Sequence, residues 1–230
     1  MQEVARMKLP ITLLLLLTAC LMAQPAPEAS PTHSRQHSHR FEDTEKWVKA
    51  WENPERDAQQ QPDEVIRRLG IKPGQVVADI GAGSGYFARR FATAVGPTGK
   101  VLAVDIEPGL LEYIRHRAEQ EGQANLVTVL ASETDPKLAP GSVDMVFVCN
   151  TIHHFDDRPA YIQLMKQALR PGGRVVVVDY RPEAVLEHGP PAWMRLPAAT
   201  VSSELEAAGL ATETLEFLPV QYVVIGKLKP

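Results

Sequence analysis

From Val76 to Tyr180 the chain repeats one pattern, a short run of apolar residues followed by an amphipathic stretch. The runs Val76–Ile80, Lys100–Asp105, Leu126–Leu130, Asp144–Cys149 and Arg174–Asp179 read as strands, with helices between most of them. Strands separated by helices predict an α/β fold built on a parallel sheet with right-handed crossovers. Upstream, Phe41, Trp47 and Trp51 fall on one amphipathic helix stopped near Pro54, and a second helix, about Asp63–Leu69, ends at Gly70. At the other end, Glu204–Ala208 closes a helix at Gly209. Two apolar runs then follow, "TETLEFL" and "QYVVIGKLK", with only Pro219–Val220 between them. Strands joined so tightly predict an antiparallel hairpin, so one strand of the sheet is reversed.

The pattern is different before Phe41. Arg6 and Lys8 precede the apolar run Ile11–Cys20, the layout of a secretory signal and too short for a comfortable membrane-spanning helix. Its ending "LTAC" resembles the bacterial lipobox, which would make Cys20 the lipidated new N-terminus. A plain signal peptide cut after Ala23 is the alternative, and translation starts at Met1 or Met7. Residues 24–40, rich in Pro, Ser, His and Gln, read as a disordered tether. His33, His37 and His39 on that tether could bind a transition metal, but histidines on a floppy linker more often do nothing specific, and no metal is expected. The expected organisation is signal 1–20, linker 21–40 and one folded domain 41–230.

Composition narrows the function classes. A 230-residue chain that is 44% hydrophobic and 23% charged has enough apolar residues for one substantial core. A net charge of -4 argues against a general nucleic-acid binder, which needs a basic face. Two distant cysteines, Cys20 and Cys149, give no disulfide framework and no CxxC metal signature.

Candidate chemistry starts at "VVADIGAGSGYFARR". A strand ends in an acid, glycines fall at every second position, and a helix follows. A turn this bare lets a ligand approach the main chain and aims free helix N–H groups at it. Dinucleotide folds use GxGxxG, but Gly81, Gly83 and Gly85 are spaced GxGxG and bulky Tyr86 and Phe87 follow, so a nicotinamide reading fails at the third glycine. The stretch instead resembles motif I of the class I S-adenosylmethionine-dependent methyltransferases. "VLAVDIEP", "SVDMVFVCN" and "LRPGGRVVVVDY" resemble that family's second-, fourth- and fifth-strand motifs in the same order. The resemblance implies a Rossmann-like α/β fold: a seven-stranded, mostly parallel sheet flanked by helices, with the last strand antiparallel.

It also implies a cofactor, S-adenosyl-L-methionine, and roles for particular residues. The turn Gly81–Ala82–Gly83 with Gly85 would lie against the methionine part, and Asp79 would orient its ammonium. Asp105 would hold the ribose hydroxyls, and Ile106 would pack on the adenine. Where the family usually places an acid for the adenine amino group, Ser132 stands in this chain with Glu133 beside it, and either one would serve. Asn150 would face the reacting methyl. Methyl transfer is an in-line displacement, so positioning dominates, and a base helps only when the nucleophile carries a proton. His153 and His154 are the available bases, with an unperturbed pKa of about 6.5; the alternative is that one caps the next helix and the other fills space. The long segment Asp179–Pro197, carrying His188, Trp193, Met194 and Arg195, either roofs the acceptor pocket or is a surface excursion with Trp193 in the core. The expected acceptor is a small or lipid-like molecule, with no nucleic-acid partner. A non-catalytic envelope protein that kept this fold for binding is the rival reading.

Overall fold

Branched apolar residues at successive positions make strands buried on both faces, and this is how the sheet is built. In a computed structural model describing residues 43–228, the strands are β1 (Val76–Ile80), β2 (Lys100–Asp105), β3 (Leu126–Leu130), β4 (Val143–Cys149), β5 (Leu169–Tyr180), β6 (Leu210–Leu215) and β7 (Gln221–Leu228). They form a seven-stranded sheet in the order β3-β2-β1-β4-β5-β7-β6. The pairs from β3 through to β5 are parallel, and β7 runs antiparallel to both β5 and β6. The expected Rossmann-like sheet with one reversed strand is therefore present.

Period two divides the strands between two cores. Val77, Val101, Ala103, Met145, Phe147, Val176 and Val178 pack on one face under α3 (Pro62–Leu69), α4 (Tyr86–Val95) and α5 (Pro108–Gln120). Ala78, Ile80, Val104, Val146, Val148, Val175 and Val177 pack on the other under α6 (Arg158–Ala168) and α7 (Ala198–Ala207). On the first face Phe147 sits among Phe87 and Phe91, with ring centroids 4.8 and 4.9 Å away.

The N-terminal segment holds one more element than the sequence pattern gives. α1 (Thr44–Trp51) is capped by Asp43, whose carboxylate accepts from Lys46 N–H at 3.1 Å. Past Pro54 the chain forms a further short helix, α2 (Glu55–Gln60), begun where Asn53 Oδ1 accepts from Glu55 N–H at 3.1 Å. It ends at Gln61, whose left-handed φ of 42° turns the chain into Pro62 at the head of α3. β5 and β6 each begin earlier than the apolar runs suggest, β5 at Leu169 and β6 at Leu210. The proposed signal, Cys20 and the linker histidines lie outside the described residues.

Candidate active site

The strand order fixes where a ligand can enter. From β1 the chain moves outward through β2 to β3, then returns to β4 on the far side of β1. At that reversal the connections behind β1 and β4 diverge, leaving a crevice at their carboxyl ends. The segment Gly81–Gly85 borders it on one side, and Asn150–His154 on the other.

Backbone bonds from Gly81 N and Ala82 N to Val104 O, 2.8 and 3.1 Å, hang the turn on β2. Gly81 has a φ of 70°, and a Cβ there would overlap Thr151, whose own Cβ would be 2.8 Å away. Gly83 has a φ of 58° and carries the Trp51 ring 3.2 Å from where its Cβ would stand. The turn is thus bare for two physical reasons: left-handed backbone, and side chains that lie on it. Within it, the Ser84 hydroxyl is buried with no hydrogen-bond partner among the described residues.

Two carboxylates converge here. Asp105 Oδ2 accepts from Gly83 N–H at 2.9 Å and Oδ1 from Glu107 N–H at 3.0 Å. Each oxygen keeps a second lone pair for a hydroxyl donor. Burial raises the Asp105 pKa, opposed by those backbone donors. Asp79 is 2% exposed. Burial pushes its carboxyl up to about 7; the Arg56 guanidinium opposes the rise and the Asp105 charge adds to it. Beyond Asp105, Ile106 and Leu130 present apolar surface to solvent at the ends of β2 and β3, 38% and 56% exposed. Glu133 is exposed. Ser132 closes a small turn with Asp135, its hydroxyl 3.5 Å from the Asp135 carbonyl.

Across the crevice, Asn150 adopts a left-handed φ of 53° after β4, and its Oδ1 accepts from Gln221 Nε2 at 2.6 Å. The histidines fall in the short 3₁₀ turn Ile152–His154. His153 Nδ1 lies 2.8 Å from Asp179 Oδ2, both side chains buried. His154 stacks beside it with ring centroids 4.3 Å apart. The helix-capping alternative is corrected: Asp157 caps α6, its carboxylate accepting from Ala160 N–H at 3.0 Å. In the segment after β5, Arg195 braces the loop through Pro190 O at 2.8 Å and Ala184 O at 2.5 Å. Trp193 is 59% exposed and so does not fill the core.

The sequence pattern missed the crevice's other wall. Arg56 and Gln60 lie one turn apart on α2, and Gln60 reaches Cys149 at the end of β4. Gln60 is 2% exposed, and its Oε1 accepts from Arg56 Nε at 3.1 Å and from Cys149 Sγ at 3.8 Å. Burial holds the Cys149 thiol well above its ordinary value, so it is neutral. A six-residue polar helix reads as solvated surface, and nothing in "ERDAQQ" marks it as half-buried.

Residues 77–173 match a family model described as a methyltransferase domain. Across that stretch the chain is similar to methyltransferases. Over 116 residues it is 31% identical to a ubiquinone/menaquinone biosynthesis C-methyltransferase of Ectopseudomonas mendocina, the match covering 50% of this chain and 45% of that one. The chain thus spans about half the length of the curated relatives it matches. A solved structure described as an S-adenosylmethionine-dependent methyltransferase from Aquifex aeolicus superposes with a TM-score of 0.76 at 24% identity, covering 81% of this chain and 99% of that one. Another, described as a possible exported protein from Bordetella parapertussis, gives a TM-score of 0.60 at 18% identity, covering 76% and 68%. S-adenosylmethionine is the cofactor of this methyltransferase family, and the crevice fits it: a bare turn, two buried acids, an apolar edge and an unpartnered Ser84 hydroxyl.

Proposed function

We propose that this protein transfers a methyl group from S-adenosylmethionine to a small or lipid-like acceptor at the carboxyl edge between β1 and β4. The observation that carries the proposal is the convergence of Asp79 and Asp105 on one glycine turn at the sheet's reversal point. Bound there, the cofactor supplies an electrophilic methyl group. Gly81, Ala82, Gly83 and Gly85 give it the bare backbone, Asp79 receives its ammonium and Asp105 its ribose hydroxyls. Ile106 covers the adenine, and Ser132 or Glu133 receives the adenine amino group.

On the acceptor side Asn150 faces the reacting methyl, its carboxamide fixed by Gln221. Of the two bases, His153 is the better placed. With its Nδ1–H donated to Asp179, the ring is fixed in one orientation and Nε2 is left to take a proton from the acceptor. The lipid-like class draws support from the relative that methylates carbon in quinone biosynthesis. The same class suits a domain tethered to a membrane through Cys20, which is the localisation we propose from the lipobox-like "LTAC".

Isothermal titration with S-adenosylmethionine, S-adenosylhomocysteine and NADH tests the cofactor. We expect both adenosyl compounds to bind and NADH not to; binding of neither would leave only an α/β module of other purpose. Extract incubated with a cofactor labelled in its methyl group then identifies the acceptor. Fractionation of cells carrying the natural chain or Cys20→Ala tests the anchor, the substitution being expected to release the protein from membranes.

A further inference from the structure

We propose that the segment after β5 docks the carboxyl edge of the sheet onto a lipid bilayer through Val185 and Trp193, so that the crevice opens at the membrane surface. This docking presupposes the Cys20 tether and the lipid-like acceptor proposed above. An acceptor that stays in the bilayer can enter the crevice only if the mouth is held against the bilayer. Among the described residues no helix is long and apolar enough to cross a membrane, so contact with lipid falls to the surface of the domain.

Two exposed apolar side chains mark that surface. Val185 is 95% exposed and Trp193 59%. Both lie on the segment that leaves β5 at Tyr180, where the carboxyl end of β5 stands beside that of β4. Arg195 draws the two limbs of this segment together. Its guanidinium donates to Ala184 O at 2.5 Å, next to Val185, and to Pro190 O at 2.8 Å, just before the short turn Ala192–Met194 that carries Trp193. At the root of the segment Arg181 donates to Leu218 O at 2.9 Å and to Pro219 O at 3.2 Å. The loop is thus braced from within, while two of its large apolar side chains stay in solvent. An exposed indole suits the boundary between headgroups and acyl chains, where its ring is covered and its N–H stays wet. Charge does not decide the contact, because Arg181 and Arg195 balance Glu183 and Glu187.

The tether joins the same edge. The described chain begins at Asp43, the cap of α1. Thr44 lies against the first turn of α5, its Oγ1 2.5 Å from where a Cβ on Gly109 would stand, and Trp51 at the far end of α1 lies on the glycine turn. Those contacts are with segments that follow the carboxyl ends of β2 and β1. Chain arriving from Cys20 therefore joins the domain at the edge that carries Val185 and Trp193. Attachment makes docking intramolecular, so two apolar side chains suffice where they would hold a free protein only weakly.

Contact quenching by brominated lipid tests the docking. The natural full chain is purified from bacterial membranes and reconstituted into vesicles of phosphatidylethanolamine and phosphatidylglycerol, with or without bromine on the acyl chains. Flotation first shows whether the chain is attached; a chain that does not float with the vesicles removes the tether reading and this inference with it. For the attached chain, tryptophan emission is expected to fall on brominated vesicles. Trp193→Phe should lose most of that quenching, since Trp47 and Trp51 are then the remaining emitters. Val185→Glu keeps Trp193 but should shift the ratio of docked to undocked protein by about tenfold, the size of one buried valine, and so relieve the quenching as well. Because both side chains are exposed, both variants should melt with the natural protein. Docking is overturned, with the tether left standing, if the attached chain is not quenched or if either variant is quenched as fully as the natural one. A variant that melts earlier marks its side chain as packing and overturns the assignment equally.

Discussion

At Gly81 one hydrogen atom separates a working turn from a collision. The φ of 70° disfavours any side chain, and an added methyl would stand inside Thr151. Gly81→Ala should therefore cost about 2–5 kcal/mol, the sum of a left-handed penalty and overpacking. The two parts can be separated by denaturant unfolding: adding Thr151→Gly to Gly81→Ala should recover the packing share and leave the backbone share. If the double variant is no more stable than Gly81→Ala alone, Thr151 is not the obstacle. The same positions show what sequence can reveal. Asp79, the glycines and Asp105 were legible because a turn of that spacing behind a buried strand has few other uses. Arg56 and Gln60 were not legible, because their burial arises from where α2 comes to rest and leaves no trace in a polar hexapeptide.

Individual elements repeat that contrast. β1, β2 and β3 fall where the apolar runs place them; β1 and β2 are largely covered on both faces and so must be mostly apolar, whereas β3 is an edge strand that leaves Val127 and Leu130 exposed. β5 and β6 extend beyond their runs because ladder pairing, not side-chain character, sets strand ends: β5 starts at Leu169 against Val143, and β6 at Leu210 against Leu228. α2 is held chiefly by polar groups. Asp57 takes a hydrogen bond from Tyr86 Oη and an ion pair from Arg90, and the Tyr86 ring lies between the Arg56 and Arg90 guanidinium groups. Such an element sits at the low end of local stability. Asp57→Asn should speed hydrogen exchange of the Glu55–Gln60 amides by about tenfold, the cost of one charged contact, and leave β1 and β4 unchanged. Equal exchange in both proteins would show that apolar contacts alone hold α2 down. The core beneath behaves differently. Phe147 is fully buried between Phe87 and Phe91, and Phe147→Ala should lower global stability by about 3–5 kcal/mol in chemical denaturation.

For the molecule as a whole, the crevice sets a conflict between stability and binding, and pH exposes it. Asp79 has an ordinary unfolded value of 3.8 but titrates near 7 when folded, because burial penalises its charge. Between those values the unfolded chain has released this proton while the folded one keeps it, so the folded state binds more protons. Stability from this group must then fall as pH rises through the window, and above about 7 the full penalty is present. Arg56 softens that penalty and Asp105 deepens it, but neither removes it. Asp79→Asn keeps the shape and deletes the charge. Its melting temperature, relative to the natural protein, should therefore rise from pH 5 to about pH 7 and level off towards pH 8. A ligand ammonium would compensate the same charge, so S-adenosylhomocysteine should stabilise the natural protein more at pH 8 than at pH 6, whereas Asp79→Asn should show no such difference. Thermal unfolding across that range, with and without the nucleoside, reads both effects. Parallel curves for the two proteins would mean that Asp79 stays ionised in the fold and that the ammonium is held by another group. If the curves diverge as described, the charge that weakens the empty domain is the one that binds its cofactor.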